Sequence, residues 1–169
     1  ESSVNAAGRN NSAIALSNNG QRLLLFRDDV KGNGDIYESI LQGTNWTEAV
    51  KLPEPVNSDY HESSAAYSPD GNTIYFVSNR KGGTGGRDIW YCSKNASGEW
   101  DEARQISPVI NTANDEEGVY MHPDGKTIYF SSKAHNSIGG YDVFKSINTN
   151  GQWATPVSIG KPVNSTRND

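Results

Sequence analysis

Most of the reactive groups in this chain are oxygens. Carboxylates gather in two short segments: Asp59 and Glu62, with His61 between them, in "NSDYHES", and Asp115, Glu116 and Glu117 in "NTANDEE". Gly-rich stretches add cations, Arg80 and Arg87 in "NRKGGTGGR", and an imidazole, His135, in "KAHNSIGG". Two Asp or Glu side chains roughly 5–10 Å apart suffice for glycoside hydrolysis. A cluster of carboxylates also suits Ca2+, which takes oxygen ligands. Yet "NTANDEE" lacks the EF-hand order, and no spacing selects one catalytic pair. Other chemistries lack their parts. Gly-x-Ser-x-Gly is absent, so no nucleophile elbow is read. His61, His122 and His135 are the three histidines; no His-x-x-x-His or Cys-x-x-Cys metal spacing occurs, and no metal site is expected. "GGTGG" joins two strand-like runs and opens no helix, so it is not a phosphate cradle.

Composition excludes further classes. Net charge is -5, from 15 Lys and Arg against 20 Asp and Glu, with no basic run, so nucleic acid is not a partner. No run of 18 apolar residues exists to span a membrane. The lone Cys92 forbids an internal disulfide; inside "DIWYCS" it reads as a small buried hydrophobe. No signal peptide is present, and Glu1 begins mid-domain without Met, so the chain reads as a piece of a longer protein.

The elements that position these groups are repeated. "SPDGNTIYFVS" returns 54 residues later as "HPDGKTIYFSS". Asp35-Ile36-Tyr37, Asp88-Ile89-Trp90 and Asp142-Val143-Phe144 recur, as do Trp46, Trp100 and Trp153, and Asn57, Asn111 and Asn164. The chain is therefore one region of three units, approximately 13–63, 64–117 and 118–169. Each unit reads as four short strands. In the second these are a (64–68), b (73–78), c (88–93) and d (100–106), with "PDGN" as the a–b turn. Strand b is apolar almost throughout, as a strand covered on both faces should be. The fold class is all-β: propeller blades of four antiparallel strands, about three in this chain.

"SPDGNTIYFVSNR" and "HPDGKTIYFSSK", each followed by Gly-Gly-x-Asp-[Ile/Val]-[Trp/Phe], resemble the WD40-like repeats called PD40, as in TolB-type propellers. They are similar in particular to those of Bacteroidetes envelope proteins of the OmpA family. The resemblance implies a non-enzymatic binding scaffold in the periplasm or at the outer membrane. Its partner would be an envelope protein or a glycan such as peptidoglycan, and it implies no cofactor. Ca2+ at the acidic segments is the one ion the residues leave open. The alternative is a glycan-processing propeller using those carboxylates. "SKNASGEW" and "SINTNGQW" also resemble the Asp-box of sialidase propellers, but Asn replaces Asp and Gly falls one place late.

Three blades are half of a usual ring, since closed propellers have about 4–8. Either further blades lie in a parent chain, or a homodimer closes a ring of six. Strand alternation places the b–c loops and d–a connections at one end and the tight a–b and c–d turns at the other. The d–a connections lead into the inner strands and should form an acidic rim at the channel mouth. The expected binding residues are Asp59, His61, Glu62, Arg80, Arg87, Asp115, Glu116, Glu117 and His135. Asn57, Asn111 and Asn164, and Asp35, Asp88 and Asp142, repeat and are expected to fix turns and loops. The repeated tryptophans are expected in the grooves between blades.

Overall fold

The computed structural model describes residues 4–5, 8–28 and 33–169. The middle of the first b–c loop, at 29–32, lies outside the described residues. Each unit forms an antiparallel sheet. In the first, β1 (Asn11–Leu16), β2 (Arg22–Asp28), β3 (Gly34–Gln42) and β4 (Asn45–Trp46) follow in order, and β5 (Val50–Lys51) pairs with β3. The second runs β6 (Glu62–Tyr67), β7 (Thr73–Ser78), β8 (Asp88–Ser93) and β9 (Arg104–Gln105). The third runs β10 (Glu116–Met121), β11 (Thr127–Ser132), β12 (Asp142–Thr149) and β13 (Gln152–Trp153), with β14 (Val157–Ser158) on β12.

Strands b and c of the second unit stand where the sequence places them. Strand d does not run from 100 to 106 as one piece. Trp100 makes an isolated bridge to Lys94, and pairing resumes only at Arg104–Gln105. Between them the Asp101 carboxylate accepts the Glu102 N–H, a local bond that competes with the ladder. The third unit has the same gap, where Pro156 offers no N–H.

The core lies between sheets. Along β7, Ile74 and Phe76 face the first sheet, where they meet Leu24, Ile36, Leu52 and Val56. Val77 faces the third and joins Ile89, Ile110, Val119, Ile128, Phe130 and Phe144, with Tyr75 packed alongside. A period-2 strand apolar on both faces is thus a central layer between two clusters. Each fully buried Ile or Phe stabilises the fold by about 1.5–3 kcal/mol. Trp100 packs on the first cluster, stacked on Tyr67, and Trp153 on the second, edge-on to Tyr75. Cys92 is fully buried, and burial pushes its thiol up to about 12.

Candidate functional site

The end of the molecule that carries the b–c loops and d–a connections is built by two repeated devices. The first is an amide that imitates a strand. The Asn111 side chain accepts the Ile89 N–H at 2.9 Å and donates to the Ile89 carbonyl at 3.0 Å. Asn57 does the same to Ile36, and Asn164 to Val143. One side chain therefore extends each sheet past its fourth strand and brings the d–a connection against strand c.

The second device is a carboxylate five residues later. Glu62 accepts the Ser58 N–H and hydroxyl and the Ser78 hydroxyl. Glu116 accepts the Thr112 N–H and hydroxyl and the Ser132 hydroxyl. Both are fully buried, and burial raises the Glu116 pKa. Asp169 holds Ser165 in the same way at the surface. These turns are close enough to the b–c loops that a Cβ on Gly85 would lie 2.1 Å from the Asn114 carbonyl oxygen, so only glycine fits.

Two further sequence candidates also turn inward. Arg80 lies over the Phe76 and Trp90 rings, pairs with Glu62 and donates to the Pro55 and Val56 carbonyls at 2.8 and 2.6 Å. His135 fills the corresponding place in the third unit. Its ring packs on Phe130 and Phe144, and Nε2 donates to the Ile110 carbonyl at 3.0 Å. Two of the repeated aspartates serve the loops: Asp88 accepts the Thr84 and Gly85 N–H groups and Asp142 that of Ile138, whereas Asp35 pairs with Lys51 of β5.

The remaining candidates stand at two seams between sheets. At the seam of the first and second sheets the His61 ring packs on Phe26, 5.6 Å away, above Gly34. Asp59 is exposed there, and its carbonyl accepts a bond from Asn33. At the seam of the second and third sheets charges gather instead. Arg87 pairs with Glu117, whose other oxygen accepts the Ser63 hydroxyl at 2.9 Å. Asp115 accepts the Arg87 N–H, the Lys133 ammonium at 2.8 Å and the Tyr141 hydroxyl at 3.3 Å. Lys133 also lies over the Tyr141 ring at 4.6 Å.

Local backbone explains this convergence. The strand register shifts between Glu117 and Tyr120, and Gly118 sits at φ 49 within that irregularity. Before that irregularity Glu116 and Glu117 are consecutive in the ladder and face opposite ways, so Glu116 is buried while Glu117 reaches Ser63. Lys133 holds the Asp115 pKa below the ordinary carboxylate value, and Asp115 raises that of Lys133. Burial, the largest cause, raises the Tyr141 pKa.

The structure therefore brings together Arg87, Asp115 and Glu117 and adds Ser63, Lys133 and Tyr141, which sequence reasoning missed. Two cations answer two carboxylates, so this part of the rim is charge-balanced rather than acidic. Their signal was available: Lys133 stands 54 residues after Asn79, and Tyr141 stands 54 after Arg87, so both replace a different residue at a repeated position. Among the described residues no group of three His, Cys, Asp or Glu side chains could hold a metal ion.

No family model and no curated protein matches the chain. Solved structures do. A chain assigned as TolB from Agrobacterium tumefaciens matches with a TM-score of 0.61 at 19% identity, over 90% of this chain and 52% of that one. TolB from Acinetobacter baumannii matches with a TM-score of 0.57 at 22% identity, over 90% of this chain and 34% of that one. A puromycin-hydrolyzing peptidase from Mycobacterium tuberculosis matches with a TM-score of 0.55 at 14% identity, over 91% and 24%. At such identities the likeness shows the fold, and this chain spans about half of the Agrobacterium chain and about a third of the Acinetobacter one.

Proposed function

We propose, with the TolB-like β-propeller fold as the premise, that the chain is a non-enzymatic binding scaffold of a bacterial envelope protein. It presents its b–c and d–a loop end to an envelope protein or a glycan in the periplasm or at the outer membrane. One observation carries this reading. The network of Ser63, Arg87, Asp115, Glu117, Lys133 and Tyr141 is assembled from residues that do not repeat, on loops held by residues that do. Loops on a rigid frame are where recognition usually lies. Planar guanidinium, carboxylate and aromatic groups at one surface can bond polar groups of either partner.

The glycosidase reading needs a carboxylic acid that is both raised in pKa and reachable. The carboxyls that burial raises, Asp88 and Glu116, are 1% and 0% exposed. Asp115 is reachable but held ionised by Lys133. Among the described residues no helix is long and apolar enough to cross a membrane.

Cosedimentation with purified bacterial sacculi, before and after protease stripping, tests the proposal and separates a protein partner from the glycan. Glu117→Ala and Arg87→Ala should each weaken retention roughly tenfold, the loss of one or two charge-assisted bonds. His122→Ala, at the opposite end, should leave it unchanged. Retention indifferent to Arg87 and Glu117, or release of sugar that Glu117→Gln abolishes, would sink the scaffold reading.

A further inference from the structure

A cavity of about 510 Å³ lies at the seam between the first and second sheets, within the range of roughly 300–1,000 Å³ in which small ligands are held. Arg22 and Glu38 line it from β2 and β3, and Tyr67, Lys94 and Trp100 from the second unit. Trp100 is stacked on Tyr67, their planes 14° apart. The Tyr67 hydroxyl donates to Glu38 Oε1 at 2.7 Å, and Arg22 Nη1 donates to the same oxygen at 3.2 Å. Burial and the neighbouring Glu38 raise the Tyr67 pKa, so this hydroxyl keeps its proton.

The matching groove at the other seam is lined differently. Strand pairing puts Thr73 in the place of Arg22, Tyr91 in that of Glu38, Met121 in that of Tyr67 and Asn148 in that of Lys94, around Trp153. That groove measures about 290 Å³, no ionised side chain lines it, and Trp153 meets Tyr75 edge-on. The repeat keeps the tryptophan for packing, whereas the charges around Trp100 belong to the first groove.

Two opposite charges in this groove lack partners. The Glu38 side chain is 14% exposed, and among the described residues nothing bonds its second oxygen, Oε2. Lys94 Nζ lies 5.0 Å from the Trp100 ring centroid and makes no hydrogen bond or ion pair among the described residues. An apolar ligand would strip water from both charges without replacing it. A simple anion would meet Glu54 and Glu99, which also line the cavity, and a simple cation would meet Lys94 and Arg22. A molecule carrying both signs answers both. We propose that this groove binds a small zwitterion, a free α-amino acid with an apolar side chain. Its ammonium donates to Glu38 Oε2, its carboxylate accepts from Lys94, and its side chain packs on Trp100, Leu52 and Pro53. The groove shares no residue with the charged loop network and is independent of what that network binds.

The four tryptophans give four indole N–H signals in nuclear magnetic resonance, and leucine and phenylalanine are the probes. Titration of the full chain with either, to about 50 mM, should move the Trp100 signal to saturation and leave those of Trp90 and Trp153 in place. N-acetylleucine lacks the ammonium and leucinamide lacks the carboxylate; each should bind about tenfold more weakly than leucine. Lys94→Asn introduces the side chain that the other groove carries. It should weaken leucine about tenfold and make it no better a ligand than leucinamide, whereas loss of packing alone would weaken both equally. Glu38→Gln should likewise make leucine no better than N-acetylleucine. Because Glu38 also holds Tyr67, Lys94→Asn decides the matter if Glu38→Gln does not fold. A Trp100 signal that neither amino acid moves overturns the proposal. So does N-acetylleucine or leucinamide that binds as tightly as leucine, or a Trp153 signal that shifts together with that of Trp100.

Discussion

The two seams use one scaffold for different chemistry. At the first, Phe26, Gly34 and His61 make an aromatic contact. At the second, Arg87 stands in the place of Gly34 and Asp115 in that of His61, and with Lys133 and Tyr141 of the next sheet they make a bonded charge network. Beneath both lie the same asparagine and the same buried glutamate. The difference teaches that the repeat fixes where loops stand, while a few substituted positions decide what the loops can recognise.

Single substitutions test this contrast. The largest effect should come from Arg80→Ala. It strips the buried Glu62 carboxylate of its cation and should cost about 3–5 kcal/mol in urea denaturation. His135→Ala, at the matching place of the other seam, removes packing and one bond but leaves no unpaired charge, and should cost about 1–3 kcal/mol. Equal losses would show that Glu62 does not depend on its partner.

Asn57→Ala and Asn111→Ala come next. Each leaves a buried N–H of strand c unbonded, while its carbonyl keeps the bond from Leu52 or Ile106, and should cost about 1–3 kcal/mol. The contrast requires these two losses to agree, because the device is the same at both seams. A gap of more than about 1.5 kcal/mol between them, well beyond the scatter between equivalent sites, would break it.

Charge changes at the second seam should be smaller in stability. Arg87→Ala or Glu117→Gln should cost less than about 1 kcal/mol, since the Arg87 side chain is 41% exposed and water screens the pair. A loss as large as that of Arg80→Ala would make the network structural rather than a recognition surface.

The smallest expected effects lie in pH dependence. The Asp115 pKa is depressed, so its contribution is present above the ordinary value of 3.8 and is lost as pH falls through the folded value. Asp115→Asn should therefore weaken the chain at pH 7, and the gap should shrink as pH falls below 3.8. Glu116 has the opposite sign. Its pKa is raised by burial, so its contribution is full below 4.5 and fades as pH rises through the folded value. The gap between Glu116→Gln and the native chain should thus narrow from pH 4 to pH 7. Urea midpoints across this range measure both, and a common sign would contradict the division of roles.

Much of the fold was legible because the chain repeats. β7 and β8 follow from a turn and two apolar runs, and strand alternation puts the b–c loops beside the d–a connections. Strand d was not legible as built, because the Asp101 side chain and Pro156 interrupt a run whose residues otherwise suit a strand. The site was legible in part. Arg87, Asp115 and Glu117 stand out as unrepeated charges, but nothing in sequence says that Arg80 and His135 turn inward onto aromatic rings. Nor does it reveal that Glu117 reaches Ser63 of the neighbouring sheet, because that depends on how the sheets pack.

The central claim is that recognition belongs to the loop end at the second seam, and amide hydrogen exchange measures it most directly. On addition of purified sacculi, protection should rise across residues 84–88, 112–118 and 133–141. It should be unchanged at the a–b and c–d turns, 68–73, 95–99 and 122–126. Protection confined to those tight turns, with the second seam unaffected, would contradict the account.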